Sequence, residues 1–259
     1  MFILTGHHVS EFTIILDGQT HCFAISKMIS INYKYHQPFR EYSSSAENFK
    51  SSTRDLVGLQ LWRGAFLIAD YICSHKASFE NQVVLELAAG TGFTSIVAAK
   101  FARRVICSDL ESIVPLIQSN FQQNSQHLPA QFLVKAIDFF QSDWKIELKD
   151  DLANIDVLLV ADVVYTQEIT QAFIETLKYI LTNTLKPLKI LISMEKRWWT
   201  NSQGQRYAPS YDHFIGHLHT TLNELNKPKI QHVPIETIQH HFSQYYTRND
   251  DLILLQVTK

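Results

Sequence analysis

The chain has 259 residues, 46% of them hydrophobic and 19% charged, with a formal net charge of −2. That is enough apolar material for one large core and leaves room for a small appendage. A chain this close to neutral offers little field to a phosphate backbone, which argues against direct nucleic-acid binding, and no apolar run approaches the roughly 20 residues of a membrane span.

Met1 to Leu4 run straight into Gly6-His7-His8, without the basic start and long apolar stretch of a secretory leader. The three cysteines, Cys22, Cys73 and Cys107, form no CxxC pair. The expectation is three reduced thiols in a cytoplasmic or nuclear protein, with no disulfide framework and no structural zinc. The twelve histidines are scattered, and neither His7-His8 nor His240-His241 shares a helix face, so no metal site is expected.

In chain order, Phe12–Leu16 and His21–Ile25 flank Asp17-Gly18, which predicts a β-hairpin. Residues 1–42 are therefore read as a β-hairpin extension and the Ser-rich residues 43–53 as a linker. Residues 54–259 are read as an α/β domain. There, Leu61–Cys73 has helical periodicity and Val83–Leu87 is a short buried strand. Phe93–Phe101 reads as a helix, Arg104–Cys107 as a strand ending at Asp109, and Ser112–Asn124 as a helix. Strands follow at Gln131–Ile137, Val157–Ala161 and Lys189–Ser193, with helices at Glu168–Leu181 and Tyr211–Leu225. Ile230–Ile235 and Leu252–Thr258 close the chain with only a loop between them. Strands alternating with helices imply a parallel sheet, and the last two strands are expected to pair as an antiparallel hairpin. The predicted fold is a Rossmann-like, seven-strand, mostly parallel sheet.

The strongest motif is Glu86-Leu87-Ala88-Ala89-Gly90-Thr91-Gly92, a strand feeding a Gly-x-Gly turn and then a helix. Gly90 and Gly92 lack the Cβ that would block a ligand's approach to the backbone. Dinucleotide enzymes want a third glycine where Ser95 stands, so that fingerprint is incomplete. Methyltransferases want an acidic residue near the end of the first strand, because S-adenosylmethionine carries a sulfonium and an ammonium. Glu86 supplies that charge.

Asp109 ends the next strand, where a carboxylate can accept both hydroxyl protons of a ribose; capping the following helix is its alternative. Asp138 and Phe139 follow the third strand, where a polar group and a ring commonly meet an adenine. The apolar strand Val157–Val160 runs into Ala161-Asp162-Val163-Val164-Tyr165. A carboxylate and a phenol three residues apart at a strand end project over the ligand crevice. Asp162 is read as orienting an acceptor amine and Tyr165 as a wall or hydrogen-bond partner; capping by Asp162 with Tyr165 packed is the alternative.

At these residues the chain resembles the family-16 protein lysine methyltransferases, the methyltransferase-like protein 21 group. The resemblance rests on Leu61-Trp62-Arg63-Gly64-Ala65, the Glu86–Gly92 turn, Asp109 and Asp162-Val163-Val164-Tyr165. A narrower likeness runs through Ala69–Ile72, Ser193–Arg197 and Tyr211–Phe214, and the whole covers about residues 55–259. The family implies a methyltransferase domain over 54–259, an S-adenosylmethionine cofactor and a protein substrate carrying the acceptor lysine. Trp62, Glu86, Ala88, Gly90, Gly92, Asp109, Asp138, Phe139 and Ala161 would then bind the cofactor, and Asp162 and Tyr165 would be catalytic.

Ala88 replaces the family's first glycine and is tolerated if its φ is negative. Phe139 replaces a tryptophan and keeps an aromatic wall. Glu195 and Trp198, after the fifth strand of the α/β domain, are expected to help bind the acceptor; a packed loop with a surface ion pair is the alternative. A small-molecule or other-residue methyltransferase, or an inactive binding module on the same fold, stays open. A monomer is expected, with the hairpin adding to the acceptor surface rather than to the cofactor pocket.

Overall fold

Alternating strands and helices build one sheet flanked by two apolar layers. The computed structural model describes residues 7–16, 18–28, 59–225 and 228–259. In chain order these hold β1 (His7–Leu16), β2 (Gln19–Met28), α1 (Arg63–Ser74), β3 (Val83–Leu87), α2 (Phe93–Ala98), β4 (Arg104–Asp109) and α3 (Val114–Asn124). There follow β5 (Gln131–Ala136), α4 (Trp144–Leu152), β6 (Val157–Ala161), α5 (Gln167–Asn183) and β7 (Lys189–Glu195). The chain continues through β8 (Trp199–Thr200), β9 (Arg206–Tyr207), α6 (Pro209–Glu224), β10 (Lys229–His232) and β11 (Leu252–Thr258).

The seven-stranded sheet has the order β10-β11-β7-β6-β3-β4-β5. Its five central and edge strands β7, β6, β3, β4 and β5 are parallel, and β11 runs antiparallel to both β7 and β10. β3 and β6 are apolar almost throughout because helices cover both faces of the sheet. The chain winds outward from β3 through β4 to β5, then returns to place β6 on the other side of β3. That reversal opens a crevice beyond the carboxyl ends of β3 and β6.

The sequence-predicted fold class and strands are observed. The last two strands pair as expected, but they are not joined by a tight turn. Residues 233–251 loop back over α1 first, so β11 slots between β7 and β10. Helix α4 was not anticipated. Trp144, Leu148 and Leu152 bury a face at i, i+4 spacing, but Ile146 points outward and blurs the period.

The predicted hairpin is present. Leu16 pairs with Gln19, leaving two residues in the turn, with Gly18 at φ +74° and Asp17 outside the described residues. Its inner face, Phe12, Ile14, Leu16, Phe23 and Ile25, is buried in the same core cluster as α1 and α2. The Phe12 ring lies 5.5 Å from Phe66 and 5.2 Å from Phe93, centroid to centroid. Side chains also close both ribbon edges. The Tyr245 hydroxyl accepts from Thr13 N–H at 2.8 Å, and the Asn124 amide bonds both backbone groups of Ala24. The hairpin thus shares the core of the α/β domain. Residues 43–53, read as a linker, lie outside the described residues.

A buried ion pair ties α1 to the 233–251 loop. Asp70 is wholly buried and accepts from Arg248 at 2.6 Å, from Phe242 N–H at 2.9 Å and from the Tyr246 hydroxyl. Arg248 also donates to the carbonyls of Ile235, Ile238 and Gln239. No helix among the described residues is long and apolar enough to cross a membrane.

Candidate functional site

The crevice at the strand ends encloses roughly 840 Å³ of empty space, counting its open mouth. Its floor is the turn after β3. Ala88, Gly90 and Gly92 all have positive φ, at +51°, +56° and +76°. The expected negative φ at Ala88 is therefore corrected: the residue sits in the left-handed region despite its Cβ, at a cost of about 1–3 kcal/mol. The surroundings enforce this conformation. Ala89 N–H donates to the Ser108 carbonyl at 2.9 Å, and Gly90 N–H to Asp109 Oδ2 at 2.6 Å.

Asp109 therefore has a structural partner in the glycine turn. Its other oxygen accepts from Leu110 N–H at 2.7 Å, while the following helix α3 starts at Val114 without a side-chain cap. The capping alternative for Asp109 does not occur. Gly92 stands just behind the crevice lining; a Cβ there would approach Ile117 at 3.1 Å, so its glycine also serves the left-handed start of α2 and the packing behind it.

Glu86 lines the crevice yet is only 1% exposed. Burial pushes its carboxyl up to about 8, against the opposing pull of the hydrogen bond from Ser95. Ser95, at the position of the missing third glycine, donates its hydroxyl to Glu86 Oε2. Asp138 and Phe139 stand on the opposite wall. Asp138 accepts from Phe140 N–H at 3.0 Å, and the Phe139 ring packs 5.9 Å from Phe173. Phe140, which sequence reasoning did not single out, also lines the crevice and is half-exposed.

The fourth strand of the parallel set brings Ala161, Asp162 and Tyr165 to the same crevice. Asp162 has φ +53° and both its oxygens accept from backbone. Oδ2 takes Gly64 N–H at 2.6 Å, and Oδ1 takes Glu195 N–H at 3.2 Å. The carboxylate thus caps the N-terminus of α1, a helix 98 residues earlier in the chain, as well as facing the crevice. Burial raises its pKa to about 6, opposed by those two N–H groups and by Arg197.

Gly64 permits this approach: a Cβ there would come within 2.5 Å of Asp162 Oδ2 and 2.7 Å of Ser193 Oγ. Ser193 in turn donates to the Gly64 carbonyl at 2.8 Å. Trp62, the N-cap residue of α1, is thereby held over the crevice, with the Arg197 guanidinium 5.4 Å from its ring centroid. Gly64, Ser193 and Ser95 were missed as site residues. The first two had no signal beyond their place in the motifs, because a helix start and two strand ends meet only in the fold.

Glu195 and Trp198 do not line the crevice. Glu195 accepts from Arg63 at 2.6 Å and from Asn249 at 2.8 Å, an exposed pair of the kind given as its alternative. The Trp198 indole donates to Asp251 Oδ1 at 2.6 Å on the outer surface. None of the hairpin's described residues lines the crevice either.

Known proteins resemble this chain in sequence and in fold. Human methyltransferase-like protein 22 is 34% identical over 220 residues, covering 78% of this chain and 54% of that protein. This is the relative to which Ala69–Ile72, Ser193–Arg197 and Tyr211–Phe214 bear the narrower likeness. The protein N-lysine methyltransferase METTL21A of Danio rerio is 27% identical over 190 residues, covering 70% of this chain and 84% of that protein. A crystal structure described as an O-methyltransferase of Nostoc punctiforme superposes with a TM-score of 0.52 at 13% identity, over 80% of this chain and 58% of that one, and shares the fold. This chain spans about half the length of its human relative. The lysine methyltransferase family profile matches residues 43–214, and the chain belongs to that family.

Proposed function

We propose that this chain transfers a methyl group from S-adenosylmethionine to a lysine side chain of a protein substrate. One observation carries the reading: Glu86, Asp109 and Asp138 face the same crevice as Asp162 and Tyr165. Three carboxylates and the Trp62 and Phe139 rings suit a cationic, nucleoside-bearing molecule. When bound, S-adenosylmethionine supplies an electrophilic methyl on a sulfonium.

The chain's own groups divide the work. Ala88 and Gly90 bring backbone close to the ligand, beside Ala161 at the end of β6. Glu86 answers its positive charge, Asp109 its ribose hydroxyls, and Asp138 with Phe139 its base. Asp162 and Tyr165 orient the acceptor amine. Each Asp162 oxygen keeps a second lone pair after accepting its backbone N–H. The carboxylate is largely ionised at pH 7, because its pKa near 6 lies below that. Lysine must arrive or become neutral, since only the free amine has a nucleophilic lone pair. Positioning and exclusion of water do the rest.

The test is incubation with labelled S-adenosylmethionine and a cell extract. Label is expected in protein, and an Asp109→Ala variant is expected to lose about 1.5–3 kcal/mol of cofactor affinity, the scale of a hydrogen bond to a charged group. Unchanged affinity in a folded variant would remove the ribose role from Asp109.

Glu86 makes binding depend on pH. In the empty crevice its raised pKa keeps the carboxyl mostly protonated at pH 7. A cationic ligand favours the carboxylate, so binding releases a proton. Affinity is expected to rise from pH 6 to 8 and flatten above, with proton release seen by calorimetry in buffers of different ionisation enthalpy. Stability of the ligand-free protein moves the other way. A carboxyl with a raised folded pKa loses stability as pH climbs from its unfolded value towards about 8. Glu86→Gln should therefore abolish the proton release and raise Tm at pH 8.

A further inference from the structure

Exposed aromatic rings mark the ribbon that follows β7. Trp198 is 41% exposed, Trp199 36% and Tyr207 43%, and all three belong to the short β8–β9 ribbon or its first flank. Soluble surfaces rarely present three large rings together without a partner for them. The Trp198 ring is also fixed in place, since its indole N–H is bonded to Asp251.

Two cations frame that ring. The Arg206 guanidinium lies 4.8 Å from its centroid, and the Lys196 ammonium lies 6.0 Å from it and 4.5 Å from the Tyr211 centroid. Neither Lys196 nor Arg206 takes part in an ion pair among the described residues. A cation laid over an aromatic face is partly desolvated and held in one orientation, which prepares it for a carboxylate.

The patch adjoins the site. Glu195, whose N–H bonds Asp162, immediately precedes Lys196, and Arg197 lies over the crevice residue Trp62. We propose that the β8–β9 ribbon docks an acidic segment of the acceptor protein, lying beside the lysine that enters the crevice. This rests on the protein-lysine reading of the site. Tryptophan, tyrosine and arginine are the side chains that most often dominate protein interfaces. Discrete carboxylates can pair with Lys196 and Arg206 while avoiding Asp212 and Asp251 nearby. An unbroken phosphate chain has no such freedom, and the whole chain's charge of −2 does not attract one.

The test uses the full chain with S-adenosylhomocysteine present and fluorescein-labelled short peptides carrying one central lysine. One peptide has Asp and Glu on both sides, and the other has Asn and Gln. Anisotropy at low salt is expected to show the acidic peptide binding about 3- to 10-fold tighter, the scale of one or two surface charge pairs. The Lys196→Glu/Arg206→Glu double variant should lose that advantage while its S-adenosylhomocysteine affinity stays unchanged by calorimetry. Equal binding, no detectable binding of either peptide, or an advantage that survives in the double variant would overturn the proposal. So would an oligouridylate that binds the wild type and not the variant while the peptides show no preference. Methyl transfer to the same peptides is read separately: a binding preference without methylation would leave the docking surface standing and count against the lysine acceptor alone.

Discussion

Replacing Asp162 by asparagine is expected to lower methyl transfer at least about 100-fold, the low end for a positioned acid–base group. The substitution keeps the size of the side chain and removes its charge. It also does more than the sequence implied. Asp162 accepts from two backbone donors, Gly64 N–H and Glu195 N–H. An asparagine offers one oxygen and one NH₂, so one of those N–H groups must face another donor. The loss is on the order of 1–3 kcal/mol for a buried group left unpaired. The start of α1 should loosen, and Trp62 with it, so S-adenosylhomocysteine affinity is expected to fall several-fold as well. A variant with full activity and unchanged affinity would show that Asp162 neither orients the acceptor nor holds the helix. Activity of the wild type should keep rising above pH 7, since an unperturbed lysine titrates near 10.4.

The second large effect lies outside the crevice. Asp70→Ala is expected to destabilise the protein by about 3 kcal/mol, the low end for a broken buried pair, because it leaves the largely covered Arg248 guanidinium without its carboxylate while three backbone carbonyls still accept from it. In a chain of this size that is a fall in Tm of roughly 10 °C. The Phe242 N–H and the Tyr246 hydroxyl lose an acceptor at the same time. A thermal melt with a shift under about 2 °C would mean that water or a neighbouring carbonyl replaces Asp70 at little cost. The consequence reaches the site, because α1 carries Asp70 on one turn and Gly64 and Trp62 at its start.

The parts of this fold that were readable in the sequence are those with local causes. Val83–Leu87 and Val157–Ala161 read as buried strands because both faces are covered. The Asp17-Gly18 turn announced its hairpin, but not that Phe12, Ile14 and Leu16 form a buried face. Nothing local said what that face meets. Phe66, Phe93 and Tyr245 come from three other parts of the chain.

The site divides in the same way. Glu86, Gly90 and Asp109 could be placed by their spacing from strand ends. The clamp of Asp162, Gly64 and Ser193 could not, because it joins residues about 100 to 130 positions apart. Ala88 shows the limit from the other side. The substitution was visible, but its positive φ is imposed by bonds to β4 that only the folded turn makes. Trp198 was expected to help bind the acceptor, and it stands outside the crevice lining, on the exposed flank of the β8–β9 ribbon. A loop leaving β7 can turn toward the crevice or away from it, and the bond to Asp251 turns it away.

Lysine is the proposed methyl acceptor. The most direct test is to label an extract with methyl-labelled S-adenosylmethionine in the presence of the chain, isolate the labelled protein, hydrolyse it and separate the amino acids. The label is expected in methyl-lysine, and absent when Asp162→Asn replaces the wild type. Label in methyl-arginine or methyl-histidine, or only in small molecules, would contradict a lysine acceptor.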